Sequence, residues 1–246
     1  MNEIKLTTVI PLFLNLPVPA NTHSSSKKQI LYRSLLWLFG MYLVIALIKT
    51  LLSTIFQGVE TSGYSQSGIT EMLSNNPFKA AVMILVVAPV VEECMHRSLL
   101  KPSHQDVVLF CSSWIVYTTN LFIPEDVNWL VRVVFLLIFL GCLTYIGIQL
   151  FNPYKLRHLR VWLTRHYIWI WIITSISFGL MHITNYVVVF TLNLPLFVNI
   201  LPRIASGFIF GYIKLKNRHI LWSVAAHALN NLVPFIILVL LYQLNS

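Results

Sequence analysis

The stretch VVAPVVEECMHRSLL, Val86–Leu100, begins as an apolar run fit for a bilayer, then sets Glu92, Glu93, His96 and Arg97 within two helical turns. A charge at a bilayer centre costs on the order of 2.5–3.5 kcal/mol, so such groups persist where they face other helices and find partners. The spacing supplies one partner. Glu93 and Arg97 stand four apart with the glutamate on the N-terminal side, the favourable order for a helix ion pair. Glu92 and His96 repeat that spacing on an adjoining face. With Glu93 matched to Arg97, Glu92 is left for other work, and a buried carboxylate without a counter-ion suits a general base.

Two further segments carry groups of the same kind. SFGLMH holds Phe178 and His182 four apart, and AAHALNN holds His227 and Asn231 four apart. Glu92 and His182 could together activate a water, while His227 and Asn231 could donate hydrogen bonds to a developing oxyanion. Each group alone has a plainer reading, because a single His or Asn in a membrane helix commonly serves as interhelical glue. Together, on three separate segments, they point to a site. Cys94 sits beside it, but a buried thiol in an apolar span is usually inert. His23, His104, His158, His166 and His219 fall at loops or interfaces and read as solvated or snorkelling groups.

The segments that must position these residues are membrane spans. The 246 residues are 57% apolar and 10% charged, which excludes an ordinary soluble domain. Seven apolar runs can be drawn, at Leu31–Phe56, Phe78–Leu100, Val107–Phe122, Val127–Phe151, Tyr167–Phe190, Phe197–Ile213 and Ile220–Tyr242. The third is short and the sixth contains Pro202. The expected fold is an all-α, polytopic membrane bundle of about seven helices around a polar intramembrane cavity. Residues 1–28 read as a cytoplasmic tail and 29–246 as a single membrane domain. No signal peptide is evident, because VIPLFLNL is short and followed by Pro17 and Pro19. Cys94, Cys111 and Cys142 lie in apolar segments and suggest no disulfide framework.

The net charge of +9 does not point to nucleic acid, since Lys and Arg fall in short clusters between spans. Loops with Lys27, Lys28 and Arg33, with Lys101, with KLRHLR and Arg165, and with KLKNRH alternate with non-basic loops holding Glu60 and Glu71, Glu125 and Asp126, and TLNLP. Lys79 and Arg132, at the outer ends of spans, blur the pattern slightly. The N-terminus is therefore expected in the cytoplasm and the C-terminus outside. Depth poses a puzzle. A rise of about 1.5 Å per residue puts Glu92 and His227 roughly 12 Å from the basic ends of their spans and His182 roughly 22 Å from Tyr167. One solution is that the fifth helix begins in the cytoplasm, with Trp169 and Trp171 at the interface.

EECMHR fits EExxxR, FGLMH fits FxxxH and HALNN fits HxxxN, in that order on three spans. The chain resembles the CAAX protease and bacteriocin-processing (CPBP, or Abi) family of intramembrane peptidases, which includes the type II CAAX prenyl endopeptidases. The likeness extends over about residues 79–234, including APVVEE and GFIFGYIKLKNRHILWSVAAHALNNL. It implies a peptidase in which Glu92 and His182 activate water and His227 and Asn231 hold the oxyanion, with Glu93 and Arg97 completing the first motif. Members often carry Phe-Arg-Gly where this chain has His96, Arg97 and Ser98, so His96 adds a titratable group near Glu92. The resemblance leaves metal-dependent and glutamate-type chemistry open. Glu92, His182 and His227 could be three zinc ligands with an open fourth position. There is no HExxH, and Asn231 is a poor zinc ligand but a good oxyanion donor, so the metal-free reaction is favoured.

The expected substrate is a peptide or a lipidated protein tail cut near the cytoplasmic leaflet, with membrane lipids as surroundings and no nucleic-acid partner. Two alternatives come from other classes. One is a non-catalytic binding or bacteriocin-immunity protein of the same fold. The other is a proton-coupled transporter with Glu92 and His182 as a relay, which the absence of a visible inverted repeat disfavours.

Overall fold

A computed structural model describes residues 26–55, 67–124, 126–187 and 193–245. The expected tail and the loop holding Glu60 lie largely outside these residues. The described residues form helices α1 (Lys27–Ile55), α2 (Ser67–Asn75), α3 (Pro77–Val82), a π-helical segment (Met83–Val87), α4 (Ala88–Arg97), α5 (His104–Asn120) and α6 (Trp129–Leu150). There follow α7 (Arg157–Arg165), α8 (Tyr167–Met181), a 3₁₀ turn (His182–Asn185), α9 (Leu194–Asn217) and α10 (Ile220–Asn245). No strand occurs among the described residues.

Among the described residues, five helices are long and apolar enough to cross a bilayer: Lys27–Ile55, Trp129–Leu150, Tyr167–Asn185, Leu194–Asn217 and Ile220–Leu244. Their outer faces carry exposed Leu43, Leu47, Val131, Ile138 and Leu240, the pattern of a lipid-facing surface. The chain is thus an integral, multi-pass membrane protein. The other two expected spans are also helical, but α5 has only 17 residues and α3–α4 is interrupted by the π segment, so length and composition alone do not establish a count of seven. Pro202 does not break α9, whose helix is continuous through it. The short helices α2 and α7 were not expected.

The basic loops gather at one end of the bundle. Lys101 Nζ lies 4.0 Å from the centroid of the Tyr167 ring. Arg160 Nε donates to the Pro102 carbonyl at 3.3 Å, and Asn217 Nδ2 donates to the Lys27 carbonyl at 3.3 Å. Buried Lys214 pairs with Asp106 at 3.1 Å, and Asp106 also closes a capping box with Ser103 at the start of α5. At the opposite end, α3, α6 and α9 begin on side-chain caps from Asn76, Asn128 and Asn193.

Small residues bring α8 and α9 together. A Cβ added at Gly207 would lie 2.8 Å from the Ser175 carbonyl oxygen, and one at Gly211 would overlap the Trp171 indole. Only glycine admits this approach, the small-residue packing common between membrane helices. Trp171 Nε1 seals it by donating to the Phe208 carbonyl at 2.9 Å. Leu38 of α1 packs into the core with Phe178, Phe210 and Ile213, so the first span supports the site although it lies outside the motif region.

Candidate active site

Helix α4 carries both glutamates, but their surroundings differ. Glu93 is fully buried, its Oε2 3.3 Å from Arg97 Nε and its Oε1 3.0 Å from His227 Nδ1. Arg97 is also fully buried and stacks on Phe178, its guanidinium carbon 4.5 Å from the ring centroid, a cation–π contact. The expected Glu93–Arg97 pair is present, and it reaches a second helix through His227. Glu92 points instead into a cavity of about 410 Å³ that His182, His227 and Asn231 also line. Its Oε2 stands 3.6 Å from His182 Nε2 and 3.9 Å from His227 Nε2.

Both histidines are oriented by their other ring nitrogen. His182 Nδ1 is 2.7 Å from the Phe178 carbonyl oxygen, which can only accept, so Nδ1 carries the proton. His227 Nδ1 faces the Glu93 carboxylate in the same way. Each Nε2 is therefore turned toward Glu92. The rings are further fixed by aromatic neighbours. Phe210 stacks on His227 at 5.0 Å between centroids and 23° between planes, and Phe178 meets His227 edge-on at 5.5 Å.

Asn231 owes its position to a defect in the helix before Glu92. In the π segment the Ala88 N–H bonds to the Met83 carbonyl, one residue further back than in an α-helix. The residue that would serve the Ile84 carbonyl in this register is Pro89, which has no N–H. That orphaned carbonyl accepts from Asn231 Nδ2 at 3.0 Å. One amide N–H of Asn231 is thereby used, and the other remains available. On the neighbouring position, Asn230 Oδ1 accepts from the Tyr42 hydroxyl at 2.8 Å and ties α10 to α1.

The depth puzzle has a geometric answer. Helical side chains lean toward their own N-terminus. Helix α4 runs toward the basic end and α8 runs away from it, so Glu92 leans away from that end and His182 leans back toward it. The opposed leans bring the two side chains toward a common depth, where Glu92 Oε2 and His182 Nε2 stand 3.6 Å apart. His96 does not reach the Glu92 carboxylate. It is buried, with Nδ1 2.8 Å from the Glu92 backbone carbonyl and its ring 5.4 Å from that of Phe178.

Arg203 was missed by sequence reasoning. It follows Pro202 in the middle of α9 and lines the same cavity, and among the described residues it has no ion-pair partner. The signal was an arginine inside an apolar run, masked by attention to the proline beside it. Phe210 was missed as well, being one aromatic residue among many.

Two imidazoles and a carboxylate are chemically a zinc-type donor set. Tetrahedral ligands at about 2.0–2.1 Å from zinc stand roughly 3.3 Å apart, and both spacings here are wider. Among the described residues, no group of three His, Cys, Asp or Glu side chains is arranged to hold a metal ion. A larger hollow of about 870 Å³ lies elsewhere, lined by Arg157, Arg160 and Arg165 at the basic end, and holds none of these residues.

A family model described as type II CAAX prenyl endopeptidase Rce1-like matches residues 74–233. No curated protein and no solved structure matches the chain.

Proposed function

The chain belongs to the Rce1-like family of type II CAAX prenyl endopeptidases, and from that premise we propose that it hydrolyses a peptide bond in its intramembrane cavity with Glu92 as general base. Family membership makes it a protease of the CAAX type in general. The finer reading concerns how the residues divide the work. What carries it is the convergence of Glu92 Oε2 with two imidazole Nε2 atoms inside a cavity also lined by Asn231.

In this reading a water held between Glu92 and His182 Nε2 gives its proton to Glu92 as its oxygen attacks the scissile carbonyl carbon. The carbonyl oxygen becomes an oxyanion and accepts from the free N–H of Asn231 and from His227 Nε2. For His227 to donate there while its Nδ1–H faces Glu93, the ring must be an imidazolium, with Glu93 as its counter-charge. Glu92 then passes its proton to the leaving nitrogen and the C–N bond breaks. No metal is required. Arg203, on the wall of the same cavity, is the group available to an anionic part of the substrate, such as a terminal carboxylate. The substrate is a peptide or a lipidated protein tail.

The test uses purified protein in liposomes with a prenylated peptide ending in a free carboxylate. Cleavage by the native protein and none by Glu92→Gln, with both equally well folded, is the expected result. Near-normal turnover by Glu92→Gln removes Glu92 from the role of base.

A further inference from the structure

The hollow at the basic end has walls of a single charge sign. Helix α7 joins two of the spans, α6 and α8, so it lies at the level where both leave the bilayer. At about 100° per residue, its residues divide into three faces. Leu163 is buried in one cluster with Leu100, Val107 and Ile170. Leu159 and Trp162 are 43% and 55% exposed, an aliphatic and an indole side chain of the kind that settles at a membrane interface. The third face, Arg157, Arg160, Val161, Thr164 and Arg165, lines the hollow.

The three arginines on that face lack counter-ions. No ion pair among the described residues includes any of them. The carboxylate nearest to this end in the chain, Asp106 at the start of α5, is already engaged. Its Oδ2 lies 3.1 Å from Lys214 Nζ and accepts from the Ser103 N–H at 2.9 Å. Arg160 is also held in place. Its Nε donates to the Pro102 carbonyl at 3.3 Å, which leaves its two Nη groups to another acceptor. A solvated basic loop needs neither a concave wall nor an arginine tied to a carbonyl beside it.

We infer that this hollow holds the phosphate of an anionic phospholipid headgroup. Guanidinium forks match phosphate oxygens bidentately, and the Thr164 hydroxyl adds a neutral donor. No carboxylate lines the hollow, so the ammonium of a choline headgroup finds no counter-charge there and a headgroup of net negative charge is selected. The acyl chains have an apolar rim to follow, in Leu159 and Trp162 and in exposed Leu150 and Phe151 at the end of α6. That rim favours a lipid over a free phosphate. The same chemistry holds in whichever leaflet this end lies, and the site is separate from the peptide cavity.

Binding is read directly, without catalysis. The full chain, purified in detergent, is titrated with phosphatidylglycerol and with phosphatidylcholine of the same acyl chains, and bound lipid is counted by native mass spectrometry. The native protein is expected to hold one phosphatidylglycerol at least about 10-fold more tightly than phosphatidylcholine. Arg157→Gln together with Arg165→Gln should weaken phosphatidylglycerol binding roughly 10- to 30-fold and leave phosphatidylcholine unchanged. Both side chains are exposed and the bond from Arg160 to Pro102 is kept, so the fold should hold. Arg165→Gln alone, the milder change, should weaken binding about 5-fold. Lys28→Gln together with Arg33→Gln removes the same charge from exposed positions on α1 and should change neither lipid's binding. Equal affinity of the native protein for the two lipids, or undiminished phosphatidylglycerol binding in the α7 variants, overturns the inference. An equal loss in the α1 variant also overturns it, by reducing the effect to diffuse surface attraction. Displacement of the lipid by glycerol 3-phosphate at matching concentration overturns the lipid assignment in favour of a free phosphate.

Discussion

Glu92 and Glu93 are neighbours in the chain and opposites in the fold. Glu93 lies in a sealed layer, touching Arg97 and His227, with Phe178 and Phe210 around them. Glu92, about 100° further round the helix, stands on the wall of a cavity, its Oε2 without a hydrogen-bond partner in the protein. A single helical step thus separates a charge that holds the bundle together from one that is free to react. The sealed side also shapes the open one, since Glu93 fixes the ring of His227 whose Nε2 reaches the cavity. Substitutions on the open side should change chemistry and spare stability, while those on the sealed side should change both.

The largest effect is expected for Glu92→Gln. The change keeps the side-chain volume and, on the proposed mechanism, removes the base, so turnover should fall about 10²–10⁴-fold. Thermal unfolding in detergent should move little, because the carboxylate has no ion-pair partner closer than the two imidazoles. Arg97→Ala should do the reverse. It strands Glu93 in a fully buried layer and removes the stacking on Phe178, so a loss of about 3–5 kcal/mol in stability is expected, with activity falling alongside. Equal stability losses for the two variants would abolish the distinction between the layers.

How far this contrast could be read in advance depended on the range of the interactions. The Glu93–Arg97 pair was legible because it is set by spacing within one helix. The convergence of His182 and His227 on Glu92 was legible only as a grouping of residue types on three spans, and axial rise alone even argued against it. What rise omits is the lean of side chains on antiparallel helices. The anchoring of Asn231 was illegible for another reason. It depends on a carbonyl left bare by a π turn, and Pro89 marks the place without announcing the partner. The Lys214–Asp106 pair is a long-range match, and the place of Arg203 on the cavity wall depends on how distant helices pack, so neither cation's surroundings could be read from its neighbours in sequence. The apolar runs were legible as membrane helices, but α2 and α7 are too short and too polar to stand out.

Two intermediate effects refine the picture of the open side. On the proposed mechanism Asn231→Ala removes one donor to the oxyanion, so kcat should fall about 10²–10³-fold with KM little changed. Arg203→Ala is expected to act on binding. A charge-assisted hydrogen bond contributes about 1.5–3 kcal/mol, so KM for a peptide with a free terminal carboxylate should rise roughly 10- to 100-fold while kcat holds. The same peptide with an amidated terminus should bind the native and Arg203→Ala proteins alike. A fall in kcat for both peptides would instead make Arg203 a counter-charge to Glu92.

The smallest effect is expected from metal removal. Glu92 and the two imidazoles form a donor set that zinc could use, and each Nδ1 contact also matches the outer support that zinc-bound histidines commonly have. The set is equally suited to proton transfer, the use the proposed mechanism makes of it. In that mechanism the Asn231 amide, held to Ile84 with one N–H to spare, donates to the oxyanion, whereas an amide is a poor zinc ligand. Chelation of the purified enzyme in liposomes should therefore leave turnover unchanged, and elemental analysis should find no stoichiometric zinc. Inactivation by chelator with recovery on added zinc would assign Glu92, His182 and His227 to the metal. In that case Asn231→Ala should cost much less than 10²-fold, so the two measurements check each other. A purified system is essential, because chelators in membranes also strip metals from unrelated proteins.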